Sequence, residues 1–584
     1  MLFLRNVTLF VGGVPLINDV SLNINHGDRM GIVGRNGAGK SHLMEILAGN
    51  LAPDAGERKS VDDPVVLLVK QELPDHERNP IEYLRSIDPD ICELEAMMED
   101  TAHPQFADAC DKLIELDTER YERLAPKILM GLGLKKEELT KPMHVLSGGM
   151  RMRIGLAMAL IRTPDVLLLD EPTNYLDLES VQWLVAYLAS YPEKHAIVVV
   201  THDLALLNAV SRSIAHLQAG ALTEFTGSYA DYRAMFSAQE LADTRKNTEL
   251  TKQIDRHEEI YQRFKGLPAK RAAQAVAQHK KAAKKRDQLA ELVVEEPVVH
   301  FSFGEPAALS DPIIRIEAGS IGYAANIILS DVNLSIQYGA KIGLVGCNGE
   351  GKSTLLKYLA GKISLAKGLS SLSQRLRIGY FNQELTDELK DALTVYEQFS
   401  ASTGILRDVL IRQTLDKYGF PYNKVGTSIA NLSGGEKSRL MFCLICAQEP
   451  NLIILDEPTN HLDMETRAVL IDAIKGFAGS VVLVSHDFDL HMQTMNQFWL
   501  AREGRVRVYP GGLTDYQSEL SQFIRMNLPS RMEADHGKDV KKIQSIPLPC
   551  KFFSNSEKPS LSGSASSHAA AAEKHPVFRS AKKC

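Results

Sequence analysis

Two glycine-rich loops carry the residue types that close around the phosphates of a nucleoside triphosphate. They are Gly34-Arg35-Asn36-Gly37-Ala38-Gly39-Lys40-Ser41 and Gly346-Cys347-Asn348-Gly349-Glu350-Gly351-Lys352-Ser353. Glycines let successive backbone N–H groups point inward at phosphate oxygens, where a Cβ would obstruct them. A helix beginning at the lysine adds the positive end of its dipole. Lys40 and Lys352 are placed to reach the β- and γ-phosphates, and the hydroxyls of Ser41 and Ser353 to ligate Mg²⁺. The expected ATP-binding set is therefore Gly34, Asn36, Gly37, Gly39, Lys40 and Ser41, with Gly346, Asn348, Gly349, Gly351, Lys352, Ser353 and Thr354 in the second loop.

Two further residue groups extend this chemistry. Asp170 and Asp456 end the apolar runs Val166-Leu167-Leu168-Leu169 and Leu452-Ile453-Ile454-Leu455. A carboxylate there can hold Mg²⁺, usually through water, and the next residue, Glu171 or Glu457, can orient the water that attacks the γ-phosphate. His202 and His486 follow the apolar runs Ala196–Val200 and Val481–Val484, 32 and 30 residues after those aspartates. That matched placement points to a γ-phosphate contact. Gln71 and Gln383 each close a strand-like run after a phosphate loop and are candidates to sense Mg²⁺ and the water.

The elements that must position these groups follow from the pattern. Met30-Gly31-Ile32-Val33 and Ile342-Gly343-Leu344-Val345 read as buried strands before the loops, and His42–Leu47 and Thr354–Leu359 as helices after them. The chain is two copies of one unit. Leu146-Ser147-Gly148-Gly149 recurs as Leu432-Ser433-Gly434-Gly435, and Leu169-Asp170-Glu171-Pro172-Thr173-Asn174 as Leu455-Asp456-Glu457-Pro458-Thr459-Asn460, both at an offset of 286. The loop lysines are 312 apart, so the first copy carries 26 extra residues before Leu-Ser-Gly-Gly. They fall within about residues 75–140, where Glu93–Met98 and Ala107–Arg123 read as helical, and form a candidate contact surface.

A basic island lies between the copies. From Thr244 to Glu291 there are thirteen Lys and Arg against six Asp and Glu, in a chain whose net charge is −7. Such concentration points to one polyanion-facing element. Residues from about 233 to 264 have helical spacing, Gly266-Leu267-Pro268 breaks it, and Ala269–Leu292 resumes with good helix formers. The reading is a helical hairpin with arms of roughly 40–45 Å. Beyond about Pro529 the Ser-, Gly- and Ala-rich composition cannot bury a core and reads as a disordered, mildly basic tail.

The 584 residues suggest three or four domains, with ordinary globular composition at 44% hydrophobic and 24% charged. No apolar run is long enough to span a bilayer, and the N-terminus lacks a secretory pattern, so neither membrane insertion nor secretion is expected. Seven scattered cysteines make no disulfide framework. Cys443 and Cys446 sit in an apolar helical pattern that reads as core rather than a metal or redox site.

Phosphate loop, Gln, Leu-Ser-Gly-Gly, Leu-Asp-Glu-Pro-Thr-Asn and His, in that order and twice over, resemble the ATP-binding cassette superfamily. The basic linker with Arg263-Phe264-Lys265 then Lys270-Arg271-Ala272-Ala273-Gln274, and Asn-(Tyr/His)-Leu-Asp after both glutamates, resemble its ABC-F branch. The resemblance implies an α/β fold of two tandem P-loop cassettes. Cassette 1 would span 1–232, the hairpin linker 233–300, cassette 2 301–525 and the tail 526–584. Two ATPs would lie between head-to-tail cassettes in one monomer, Lys40, Glu171 and His202 facing Ser433 and Gly435, and Lys352, Glu457 and His486 facing Ser147 and Gly149. Asp170 and Asp456, with Ser41, Ser353, Gln71 and Gln383, would serve Mg²⁺, and Tyr323 would stack on adenine.

The first copy has Val11 at the place matching Tyr323, with Phe10 one residue out of register. Met150 and His42 also depart from the usual pattern without removing a catalytic group. The implied partner is the ribosome, in the cytoplasm, with Arg263, Lys265, Lys270, Arg271, Lys280 and Lys281 of the linker reaching ribosomal RNA and peptidyl-transfer RNA near the exit site. ATP closure and hydrolysis would drive a cycle that modulates translation. The motor subunit of an exporter with a separate membrane protein, or an ATPase acting on DNA structures, are the alternatives.

Overall fold

The computed structural model describes residues 1–69, 76–98, 120–174, 176–264, 277, 279–280, 283, 302–323, 326–382, 389–405, 407–460 and 462–527. In the first half, β1 (Leu2–Val11), β2 (Val14–Ile24) and β4 (Ala55–Ser60) form an antiparallel sheet in the order β2-β1-β4. A six-stranded sheet holds β3 (Arg29–Val33), β5 (Val66–Val69), β6 (Val166–Asp170), β7 (Ala196–Val200), β8 (Ser213–Gln218) and β9 (Ala221–Thr226). Its order is β5-β6-β7-β3-β8-β9, parallel except for the β8–β9 hairpin at one edge.

The second half repeats both sheets. β10 (Ile314–Tyr323), β11 (Asn326–Ile336) and β13 (Leu365–Leu372) take the order β11-β10-β13. β12 (Lys341–Val345), β14 (Ile378–Phe381), β15 (Leu452–Asp456), β16 (Ser480–Val484), β17 (Gln497–Arg502) and β18 (Arg505–Tyr509) take the order β14-β15-β16-β12-β17-β18. The tandem α/β arrangement expected from the repeat is thus present.

Continuous apolar strands form the sheet centres because both faces are covered. Along β6 and β7 the side chains alternate between two cores. Leu167, Leu169, Ile197 and Val199 pack with Ile154 and Trp183 of the helices Gly148–Arg162 and Leu178–Ala189. Val166, Leu168, Val198 and Val200 pack instead with Leu43 of the helix Lys40–Ala48 and with Leu2 and Leu4 of the small sheet. Cys443 is fully buried among Leu440 and Phe442, as a core position should be, and among the described residues no group of three or more His, Cys, Asp or Glu is gathered for a metal.

Parallel strands end on one edge, and that edge gathers the chemistry. The phosphate loop leaves β3, Asp170 ends β6 in register with Val200 of β7, and His202 follows two residues later.

The helix Tyr229–Phe264 begins against the first half, where Tyr229 and Tyr232 are buried. At 36 residues it runs roughly 54 Å. The rings of Tyr261 and His279 lie 4.8 Å apart, so the chain reverses between them as a helical hairpin requires. Arg263 and Lys280 are exposed on it. Lys265, Lys270, Arg271 and Lys281, the tail from residue 528 onward, and residues 99–119 of the insertion region lie outside the described residues. Among the described residues no helix is long and apolar enough to cross a membrane.

Candidate nucleotide sites

Each phosphate loop bends where only glycine fits. Gly34 has φ +152°, and a Cβ there would stand 2.4 Å from the Leu217 carbonyl oxygen; at Gly346, φ +138°, it would stand 2.2 Å from that of Ala501. Lys40 begins its helix and donates from Nζ to the carbonyls of Gly34 (2.7 Å) and Arg35 (2.9 Å). Lys352 does the same toward Gly346 (2.6 Å) and Cys347 (3.0 Å). Burial lowers the Lys40 pKa, with Glu171 opposing. An anionic phosphate would compete well for an ammonium held by neutral carbonyls.

Asp170 hydrogen-bonds the Ser41 hydroxyl, while burial lifts its carboxyl above the usual range. A hydroxyl and a carboxylate, both hard oxygen donors, meet where β- and γ-phosphates would lie, a donor set that fits Mg²⁺. In the second copy Ser353 lies in the first turn of the helix Lys352–Leu359 and Asp456, buried, ends β15. Gln71 and Gln383 fall outside the described residues.

Glu171 and Glu457 both adopt left-handed backbone conformations, φ +48° and +52°. Their N–H groups donate to Val200 (2.8 Å) and Val484 (2.9 Å) carbonyls, which locks the turn. Non-glycine residues held this way need surrounding structure to over-determine them. Burial pushes each glutamate's pKa up to about 8, against the pull of Lys40 and Lys352. A carboxyl titrating near neutrality suits proton transfer from water.

His202 Nε2 lies 3.3 Å from Glu171 Oε1 and 3.1 Å from Asn36 Oδ1, and His486 Nε2 lies 3.0 Å from Glu457 Oε1. Burial, reinforced by Lys40 and Lys352, drives both histidines down to about 3. They are neutral imidazoles, and their contacts are hydrogen bonds rather than ion pairs.

The two halves meet head to tail. One cleft of about 300 Å³ is lined by Asn36, Gly37, Glu171 and His202 of the first half and by Ser433, Gly434 and Gly435 of the second. Ser433 caps the helix Gly434–Cys446, with Glu436 completing a capping box. Gly434 and Gly435 of that helix start line the cleft, where the positive end of the helix dipole favours an anion. Ser147 caps the matching helix Gly148–Arg162, accepting from Met150 N–H. Ties from the second loop to the first half run through Asp177, whose Oδ2 accepts from Asn348 N–H (2.9 Å), and Lys135, which meets Glu350 at 3.2 Å. Tyr323 stands partly exposed at the tip of the β10–β11 hairpin, paired with Asn326; Val11, paired with Val14, holds the same tip position in β1–β2.

Sequence reasoning missed the residues that join the halves. Asp177 and Glu179 in the first copy, and Asp463 and Glu465 in the second, follow Asn-x-Leu, but a short acidic helix start carries no sign of reaching the opposite phosphate loop. The available signal was that the acid–x–acid pattern recurs at the 286 offset, in Asp177/Glu179 and Asp463/Glu465.

Comparison with known proteins agrees with this geometry. A family profile described as ABC transporter matches residues 17–174 and 329–460, and an extension profile of the same description matches 215–301. The chain is 35% identical over 530 residues to the probable ATP-binding protein YheS of Haemophilus influenzae, covering 89% of this chain and 82% of that protein. It is 32% identical over 543 residues to ATP-binding cassette sub-family F member 2 of Mus musculus, covering 91% and 85%. Among solved structures, the RNase-L inhibitor superposes with a TM-score of 0.58 at 20% identity, covering 88% of this chain and 93% of that one, a likeness of fold. A crystal structure of archaeal ribosome recycling factor aABCE1 with ribosomal stalk protein aP1 gives 0.56 at the same identity, covering 88% and 92%. Two ATP-binding cassettes joined by the extension, in a chain this similar along most of its length, place it in the F family of ATP-binding cassette proteins.

Proposed function

We propose that the protein is a Mg²⁺-dependent ATP hydrolase whose ATP-closed form binds the ribosome and modulates translation, as a cytoplasmic monomer. The observation that carries the reading is the cleft in which Glu171 and His202 of one cassette face Ser433-Gly434-Gly435 of the other.

Glu171 and Glu457 accept a proton from, and aim, the attacking water. Neutral His202 and His486 donate to the γ-phosphate, and Lys40 and Lys352 leave their loop carbonyls for its oxygens. Mg²⁺, held by Ser41 and Asp170 or Ser353 and Asp456, with Gln71 and Gln383 sensing it, would neutralise charge on the β- and γ-phosphates. Ser147, Gly149, Ser433 and Gly435 touch the γ-phosphate only when the cassettes close, so ATP holds them together and its hydrolysis releases them. Driving such an equilibrium from mostly open to mostly closed takes about 10⁴-fold differential binding, near 5.5 kcal/mol, which several charge-assisted hydrogen bonds can supply.

The ribosomal target is supported by the basic hairpin, whose surplus of seven positive charges suits phosphate-rich RNA gripped through its backbone. The linker would approach ribosomal RNA and peptidyl-transfer RNA near the exit site. The test is cosedimentation of the Glu171→Gln/Glu457→Gln protein with ribosomes in ATP. Retention on ribosomes supports the reading; retention instead on membranes, or on DNA junctions, replaces it with an exporter motor or a DNA-acting ATPase.

A further inference from the structure

The two switch loops that carry the histidines are built alike except for one set of side chains. In both, the aspartate after the histidine caps the next helix: Asp203 Oδ1 accepts from Leu206 N–H (2.8 Å) and Asp487 Oδ1 from Leu490 N–H (2.9 Å). In both, its own N–H donates to the preceding hydroxyl, Thr201 or Ser485, at 3.1 Å. The local frame is therefore the same.

What differs is the bracing. Arg467, 5% exposed, donates from Nη2 to Asp487 Oδ1 (2.8 Å) and Asp489 Oδ2 (2.8 Å), and from Nε to Asp487 Oδ2. From the other side the buried His491 ring bonds the Ser485 carbonyl through Nε2 (3.0 Å). The residues at the same positions of the first cassette are Val181, Ala205 and Leu207. None has a side-chain polar atom, so these positions supply no such fork; Arg467 lines the cleft beside His202 and Asp203 and bears on them through its charge, while its fork closes on Asp487. A bidentate arginine fixes a carboxylate in direction as well as distance, and a catalytic group held by packing and neighbouring hydrogen bonds needs less reorganisation at reaction.

We infer that Arg467 and His491 are positioning residues that pre-set His486, so that the site of Lys352, Glu457 and His486 hydrolyses ATP faster than the site of Lys40, Glu171 and His202. This rests on the proposed ATP hydrolysis and adds an order to it. The second-cassette site turns over first, and the unbraced His202 loop is set only as its nucleotide binds.

The test is single-turnover hydrolysis with protein in excess over ATP, in two backgrounds of the full chain. Glu171→Gln leaves only the braced site competent, and Glu457→Gln only the unbraced one. The braced site should be faster by at least about tenfold, or ~1.4 kcal/mol of barrier. Arg467→Lys keeps the buried positive charge that also faces His202 and Asp203 but loses the fork to Asp487, and should slow the Glu171→Gln protein several-fold more than the Glu457→Gln protein. Moving the brace, with Val181→Arg and Ala205→Asp, should speed the Glu457→Gln protein. Equal rates in the two backgrounds, or an Arg467→Lys effect of the same size in both, would overturn the inference and leave the ATPase reading standing. Absence of hydrolysis in the unmutated chain would remove that reading itself.

Discussion

Arg35 in the first phosphate loop pairs with Glu465 of the second cassette at 2.8 Å, whereas the equivalent residues of the other site, Cys347 and Glu179, meet as thiol and carboxylate at 3.0 Å. Glu179 also accepts from Tyr516 Oη at 2.6 Å. Burial, then the neighbouring Glu179 and Asp177 carboxylates, push the Cys347 thiol far above its usual range, so it acts as a neutral donor. At this matched position one joint holds an ion pair and the other a largely buried neutral hydrogen bond, with the Lys135–Glu350 pair beside the latter.

That difference makes the first joint testable by charge reversal at Arg35 and Glu465. The Arg35–Glu465 pair is partly exposed, so on its own it contributes no more than about 1 kcal/mol. Arg35→Glu adds repulsion from Glu465 and should weaken ATP-driven compaction in small-angle scattering. Arg35→Glu with Glu465→Arg should restore it. Raising salt should loosen the unmutated joint and tighten the repulsive one. Failure of the charge swap to rescue would mean the pair does not contribute to closure.

The buried glutamates set a pH dependence of stability. Each has a folded-state pKa of about 8 against an ordinary value of 4.5. Between those values the folded protein holds protons that the unfolded chain has released, so stability falls as pH rises through the window and levels off above it. The loss is at most on the order of 5 kcal/mol per group. Glu171→Gln/Glu457→Gln removes it. The variant's melting temperature should thus exceed that of the unmutated chain, nucleotide-free, by a margin that grows from pH 5 to about pH 8. A constant margin across that range would contradict the burial of these carboxyls.

The strands before the loops, both phosphate loops and the glutamate–histidine pairs were legible because each rests on local chemistry: apolar runs, glycine spacing and carboxylates at strand ends. The side-chain ties across the interface were not. Glu465 finds Arg35 and Asp177 finds Asn348 only after two distant segments fold and dock. No periodicity in either segment encodes its partner. The start of the long helix at Tyr229, four residues before the helical spacing was read, has a similar cause. Tyr229 donates to Met464 Sδ across the interface and Tyr232 packs on Phe225, so tertiary contacts extend the helix backward.

The linker should behave as a polyanion grip. Lys265→Glu, Lys270→Glu and Arg271→Glu, combined, should lower ribosome cosedimentation of the Glu171→Gln/Glu457→Gln protein and flatten its salt dependence, because fewer counterions are released. Loss of ATP hydrolysis by the same triple change in the hydrolysis-competent chain would show instead that the hairpin props the cassettes. An unchanged salt slope would move the ribosome contact elsewhere on the chain.

Base recognition should differ between the two sites. Tyr323 projects from the tip of the β10–β11 hairpin, 45% exposed, while Val11 holds the same tip position in β1–β2. An aromatic face stacks on a nucleobase with roughly 1–3 kcal/mol by alanine substitution, and a valine cannot supply that contact. Tyr323→Ala should therefore weaken ATP binding at the second-cassette site by about 5- to 150-fold, without touching the first. Val11→Tyr should strengthen the first. The measurement is titration with a fluorescent ATP analogue in chains where Lys40→Ala or Lys352→Ala disables one loop. If Tyr323→Ala binds as tightly as the unmutated loop, adenine sits elsewhere; if Val11→Tyr gains nothing while Tyr323→Ala loses, the first site holds its base by a different face of the hairpin.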